Sequence, residues 1–224
     1  MPRFSYLIFD LDGTLDNSMP YYTKGFVQVG IECGLLEEGL AAEYKNSAGL
    51  PLRQQFLQVF SRASVEANLD RCVARFWEIV GACPAQPFPD VQNVILSLSK
   101  QQRHLYLTTG SKTENALRKM NEMRISPYFN LIFGSEELLE KGPLHLQRFE
   151  EHSQDPYFKQ KALYLGDGTA DMRFARDFKI TAVGIATTIT PEKLIEVGAH
   201  YVIGSLKELL PLLDDIEGGE LSQP

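Results

Sequence analysis

An apolar strand that ends in two aspartates, an all-helical stretch after it, and regular helix–strand alternation from residue 90 onward predict an α/β protein. The expected architecture is a doubly wound parallel sheet with a small α-helical cap inserted after the first strand. Parallel neighbours need a crossover of a dozen or more residues, and the predicted helices are long enough to supply it.

The first strand is Tyr6-Leu7-Ile8-Phe9, an unbroken apolar run suited to the middle of a sheet covered on both faces. Asp10 and Asp12, at i and i+2, project to the same side of the extended chain, and Gly13 lets the backbone turn away. Residues 20–82 hold almost no β-branched run but several helical patterns, such as Phe56-Leu57-x-Val59-Phe60 and Cys72-Val73-x-x-Phe76-Trp77-x-x-Val80. The proline-dense stretch Cys83-Pro84-Ala85-Gln86-Pro87-Phe88-Pro89 cannot continue a helix and returns the chain to the sheet.

Val91 to Ser99 is apolar at helical spacing, and His104 to Thr109 is a strand ending in Thr109-Gly110-Ser111. A helix over Glu114 to Met123 precedes the strand Phe129 to Phe133, which ends in Gly134-Ser135. A helix over Pro143 to Glu151 precedes the strand Ala162 to Asp167. Weaker signals alternate through Ile180–Ile185, Pro191–Val197, Tyr201–Ile203 and Leu206–Leu213. The expected units are a core of residues 1–16 and 87–214, a cap of residues 17–86, and an acidic, glycine-containing flexible tail of residues 215–224.

A 44% hydrophobic and 23% charged composition places the chain in the globular class. A net charge of −7, with no dense basic run, argues against nucleic acid or an anionic membrane as partner. The apolar N-terminal stretch is too short to span a bilayer and lacks a basic n-region, which points to the cytoplasm. Cys33, Cys72 and Cys83 are widely spaced without a Cys-x-x-Cys, and read as free thiols in a reducing compartment.

Ligands of open α/β sheets bind at the carboxyl ends of the strands. There the sequence places Asp10 and Asp12, then Thr109, then Gly134-Ser135, then Gly166-Asp167-Gly168-Thr169-Ala170-Asp171. Four carboxylates gathered at one edge raise one another's pKa unless counter-charges hold them ionised, and a hard divalent cation with a lysine would do so. Taken singly, Thr109 also suits a helix cap, and Asp167 with Asp171 also suits the acidic N-terminus of a helix.

In order and spacing, Asp10-Leu11-Asp12-Gly13-Thr14-Leu15, Thr109-Gly110, Lys141 before Pro143 and Gly166-Asp167-x-x-x-Asp171 resemble the four motifs of the haloacid dehalogenase superfamily. A helical insert between the first two motifs resembles the subclass with a small helical cap, which includes phosphoglycolate phosphatase and β-phosphoglucomutase. Gly49-Leu50-Pro51-Leu52-Arg53 and Gly198-Ala199-His200-Tyr201-Val202-Ile203 are similar to that subclass as well.

The resemblance implies a Mg2+-dependent phosphatase that hydrolyses a small phosphorylated metabolite through an aspartyl-phosphate. Asp10 would be the nucleophile, and Asp12 the general acid and base, with its backbone carbonyl on the metal. Thr109 and Gly110 would hold phosphate oxygens, Lys141 would neutralise developing charge, and Asp167 and Asp171 would complete the metal site. Two departures stand out. Gly142 separates Lys141 from Pro143 where the family shows Lys-Pro, which leaves Lys112 open as the active lysine, and Asn17-Ser18 replaces Asp-Ser. A sugar phosphomutase would use the same residues, a non-catalytic binding protein could keep the fold, and Asp12 disfavours a dehalogenase. Arg53, Tyr21, Tyr22 and Lys24 read as surface or core residues rather than site residues.

Overall fold

The computed structural model describes residues 2–47, 50, 52–59, 68–135 and 142–219. Six parallel strands form one sheet: β1 (Tyr6–Phe9), β2 (His104–Thr108), β3 (Leu131–Phe133), β4 (Ala162–Gly166), β5 (Thr181–Ile185) and β6 (Tyr201–Ile203). Their order across the sheet is β3-β2-β1-β4-β5-β6, so β1 sits between β2 and β4. The chain builds outward from β1 on one side and then, from β4, on the other. That reversal leaves a crevice beyond the carboxyl end of β1, where ligands of such sheets lodge.

Register explains why β1 is apolar throughout. Leu7 pairs with Leu105 and Leu163, and Phe9 with Leu107 and Leu165. Side chains alternate between faces. Leu7 and Phe9 therefore enter one core, together with α5 (Val91–Lys100), α6 (Thr113–Glu122) and α11 (Leu209–Gly218), while Tyr6 and Ile8 enter the other, with α7 (Pro143–Ser153), α9 (Thr169–Asp177) and α10 (Pro191–Glu196). A short helix, α8 (Phe158–Lys161), precedes β4.

Between β1 and β2 lie α1 (Met19–Glu32), α2 (Leu40–Asn46), α3 (Leu52–Val59) and α4 (Leu69–Val80). They pack around a core of their own that includes Tyr22, Phe26, Tyr44, Phe56, Cys72 and Phe76. Phe26 stacks on Phe56 with ring centroids 4.6 Å apart and tilts against Tyr44 at 4.8 Å. Each such pair contributes about 0.5–1.5 kcal/mol beyond the area it buries. Ser18 makes no side-chain cap for α1, but Pro20 lies in the first turn, where a missing N–H costs nothing. Among the described residues, no helix is long and apolar enough to cross a membrane.

The six strands and the helices expected over 91–99, 114–123, 143–151, 191–197 and 206–213 fall within a few residues of the sequence expectations, α8 and α9 are additional to them, and the tail differs. Residues expected to be loose from 215 onward continue α11 to Gly218. Ile216 is buried, and Glu217 pairs with the guanidinium of Arg103 at 2.8 and 3.0 Å. A charged, glycine-containing segment is ordered here by apolar burial, an ion pair and a hydrogen bond from the Phe4 N–H, none of which composition reveals.

Candidate active site

Asp10 follows β1 directly, its N–H bonded to the Leu165 carbonyl at 2.9 Å. The adjacent β4 ends in Gly166-Asp167 and leads into α9, whose third residue is Asp171. Strand pairing therefore brings three carboxylates together: Asp10, Asp167 and Asp171 each present an oxygen within 4.8 Å of the others, and all three are buried. Three hard anionic oxygens in one buried cluster are the donor set a divalent cation takes.

Each carboxylate is oriented by neighbours. Asp167 accepts from Thr14 Oγ1 at 3.2 Å and from Thr188 Oγ1. Asp171 accepts from Tyr164 Oη at 3.0 Å and from the Gly168 N–H at 3.0 Å, so it also caps α9. Gly13 makes the approach possible. It has φ of +87°, and a Cβ there would lie 2.0 Å from an Asp167 oxygen, so no other residue fits.

Asp12 points elsewhere. Its Oδ1 accepts from Lys119 Nζ at 2.7 Å and its Oδ2 from Ser111 Oγ at 2.6 Å. Lys119 lies on α6 with a fully buried side chain, and its ammonium also faces Asp16 Oδ2 at 2.6 Å, Tyr21 Oη at 2.9 Å and Tyr22 Oη at 3.0 Å. Burial alone would push the Lys119 ammonium down, but Asp12, Tyr22 and Asp16 outweigh it and hold its pKa far above the ordinary lysine value. Burial would likewise raise the Asp12 carboxyl, and Lys119, helped by Ser111 and Ser18, instead brings it below the usual carboxylate range.

Asp16 anchors the two strands of chain that join the helical layer to the sheet. Its Oδ1 accepts from the Gln86 N–H at 2.6 Å, its Oδ2 from Tyr21 Oη at 2.9 Å, and the neighbouring Asn17 N–H bonds Gln86 O at 2.8 Å.

Thr109 and Gly110 follow β2 and line the same cleft as Asp10, Asp12 and Asp167. Thr109 Oγ1 accepts from the Ser111 N–H at 3.1 Å, which leaves its own O–H to donate. Gly110 faces open space. Lys141 lies outside the described residues, and Lys112 is exposed at the start of α6 and does not line the cleft. The Gly134-Ser135 turn also stays out of it. Because β3 is the edge strand, these residues bond instead to the start of α6, Gly134 N–H to Thr113 Oγ1 at 2.9 Å and Ser135 N–H to Ser111 O at 3.0 Å.

Of the four residues read as bystanders, Lys24 is exposed and Arg53 pairs with Asp70 at the surface. Tyr22 is buried in the core of the helical layer with Tyr21 packed against it, as read, and both phenols also reach Lys119. Lys119 itself escaped the sequence reading, although a signal was present: it shares a helix face with Ala116, Met120 and Met123, an apolar stripe on which a lysine requires buried partners.

Comparison with known proteins agrees with this geometry. The family model described as haloacid dehalogenase-like hydrolase matches residues 7–185. A phosphoglycolate phosphatase of Pseudomonas fluorescens is 24% identical over 218 residues, covering 94% of this chain and 79% of its own. One from Photorhabdus laumondii is 25% identical over 189 residues, covering 80% and 79%. A haloacid dehalogenase-like family protein from Streptococcus pneumoniae superposes with a TM-score of 0.80 at 24% identity, over 94% of this chain and 98% of its own. A hydrolase from Pseudomonas syringae gives 0.78 at 19%, over 95% and 99%. With the family model spanning most of the sheet and all of the helical layer, this chain belongs to the haloacid dehalogenase-like hydrolase family.

Proposed function

We propose that the protein is a phosphoric monoester hydrolase that cleaves a small phosphorylated metabolite through an aspartyl-phosphate on Asp10. The observation that carries this reading is the convergence of Asp10, Asp167 and Asp171 within 4.8 Å at the end of the central strand, with Asp12 beside them but outside the cluster. Relatives named phosphoglycolate phosphatase add support at 24–25% identity.

Asp10, Asp167 and Asp171, with the Asp12 carbonyl, would hold Mg2+, which when bound screens the phosphate and polarises its phosphorus. The Thr109 hydroxyl and Gly110 N–H hold phosphate oxygens, and Asp10 attacks phosphorus in line with the leaving oxygen. Approach of the anionic phosphate raises the pKa of Asp12, which takes up a proton and hands it to the leaving alkoxide. A water then attacks the aspartyl-phosphate, returns a proton to Asp12, and frees Asp10 and inorganic phosphate. Residues 1–16 and 87–218 act as the catalytic core and residues 17–86 as the cap that shields the cleft from bulk water.

Phosphate release from p-nitrophenyl phosphate, with and without Mg2+, tests this reading against Asp10→Asn. Mg2+-dependent release that the variant lacks is the expected result. Release by Asp10→Asn at the wild-type rate would refute the covalent route, and no release by the wild type would refute hydrolysis.

A further inference from the structure

The cap side of the cleft is the most specific unassigned feature of the molecule. Met19, Tyr22, Leu52, Phe76 and Trp77 face Asp10 and Thr109 across it, and Gln55 adds its amide. Among the described residues of the helical layer, none that lines the cleft carries a charge. Arg53, the nearest cation in sequence, is turned to the surface against Asp70.

Gln55 is itself incomplete. It is buried, its Nε2 donates to the Leu50 carbonyl at 2.8 Å, and that bond fixes which way the amide points. Its Oε1 is buried without a hydrogen-bond partner. A buried acceptor left in this state favours a ligand that brings it an N–H or O–H.

The cleft encloses about 80 Å³ of space open to the centre of a water molecule. That is room for roughly five to eight waters, the size of a phosphate with one ring or a short chain attached.

Building on the phosphomonoesterase reading, we infer that the preferred substrate is the monophosphate of an uncharged, single-ring or short apolar alcohol bearing one hydrogen-bond donor for Gln55 Oε1. A leaving group with its own carboxylate, such as phosphoglycolate, fits poorly. Its charge would be desolvated against aromatic and aliphatic side chains, with no cation among the described residues lining that wall to pair it. A ring instead meets an apolar wall that includes Met19, Leu52 and Trp77.

The experiment compares kcat/KM for benzyl phosphate, the three hydroxybenzyl phosphates, glycerol phosphate and phosphoglycolate, all of them alkyl esters with similar leaving groups. The wild type is expected to turn over benzyl phosphate at least tenfold better than phosphoglycolate, and one hydroxybenzyl isomer better still. In Gln55→Leu the advantage of that isomer over benzyl phosphate should collapse, and Leu52→Arg should narrow the gap to phosphoglycolate. Circular dichroism and thermal unfolding check that both variants are folded. Phosphoglycolate matching or exceeding benzyl phosphate would overturn the inference while leaving hydrolysis intact. An isomer preference unchanged in Gln55→Leu would remove Gln55 from it. Absence of Asp10-dependent release from every ester would bring down the hydrolase reading and this inference with it.

Discussion

Lys119 Nζ lies 2.7 Å from Asp12 Oδ1 and 2.6 Å from Asp16 Oδ2, so one buried ammonium on α6 spans two carboxylates on the chain that leaves β1. It has three protons for four facing oxygens, the other two being the phenols of Tyr21 and Tyr22 on α1. A single side chain thus ties the sheet, the connection out of it and the helical layer together.

Removing that charge should be severe. In Lys119→Met, the fully buried Asp16 and the largely buried Asp12 lose their counter-ion, a loss expected to cost about 3–5 kcal/mol in urea unfolding. Lys119→Arg keeps the charge but must fit a wider fork into a closed space, and should fall between the two. A cost below about 1 kcal/mol for Lys119→Met would mean the network is not held as described.

Gly13→Ala places a methyl against the Asp167 carboxylate at a residue with φ of +87°. Strain and clash together should cost more than about 1 kcal/mol and displace Asp167. Calorimetry reads the first effect. Titration with Mg2+, followed by the shift in Tm, reads the second, and retention of the wild-type shift would count against Asp167 as a metal ligand.

Glu217 makes stability depend on acid. Burial alone would raise its carboxyl, but hydrogen bonds from Arg103 and from the Phe4 N–H outweigh it and lower the pKa. A carboxyl lowered in the folded state contributes stability above its unfolded pKa of about 4.3 and loses it as pH falls through the folded value. Glu217→Gln should therefore cost about 1–3 kcal/mol at pH 7, and the difference from wild type should shrink as pH drops below about 4. A difference that is the same at pH 7 and pH 3 would contradict the pairing.

Cys33 and Cys72 hold their sulfurs 2.8 Å apart between α1 and α4, with burial first and Cys33 second pushing the Cys72 thiol up to about 12. The Cys72 thiol should react slowly with iodoacetamide at neutral pH, because the thiolate is the nucleophile. Oxidation with diamide should join them in one intramolecular disulfide, detected by mass spectrometry, and raise Tm. Closing that loop stabilises by at most about 4 kcal/mol on chain-entropy grounds. Joining of Cys83 instead would show that α1 and α4 do not face each other in this way.

Much of this protein was determined by local sequence. The apolar run of β1 specifies a buried strand, helix–strand alternation specifies a parallel sheet, and Asp10, Asp12, Thr109 and Asp167 stand at strand ends, with Asp171 in the first turn of the helix that follows, because their motifs follow apolar runs directly. Those signals depend on neighbours within a few residues, which a sequence displays. What only the tertiary structure decided are relations between residues far apart in the chain. Strand order put β3 at an edge and took Gly134-Ser135 out of the cleft, and the docking of α6 brought Lys119 to Asp12 across 107 positions. The Arg103–Glu217 pair turned an apparent tail into the end of a helix, and the packing of α3 left Gln55 Oε1 without a partner. A buried charge or acceptor is tolerable only when its partner is supplied, and the partner's identity is set by packing, not by the residues on either side.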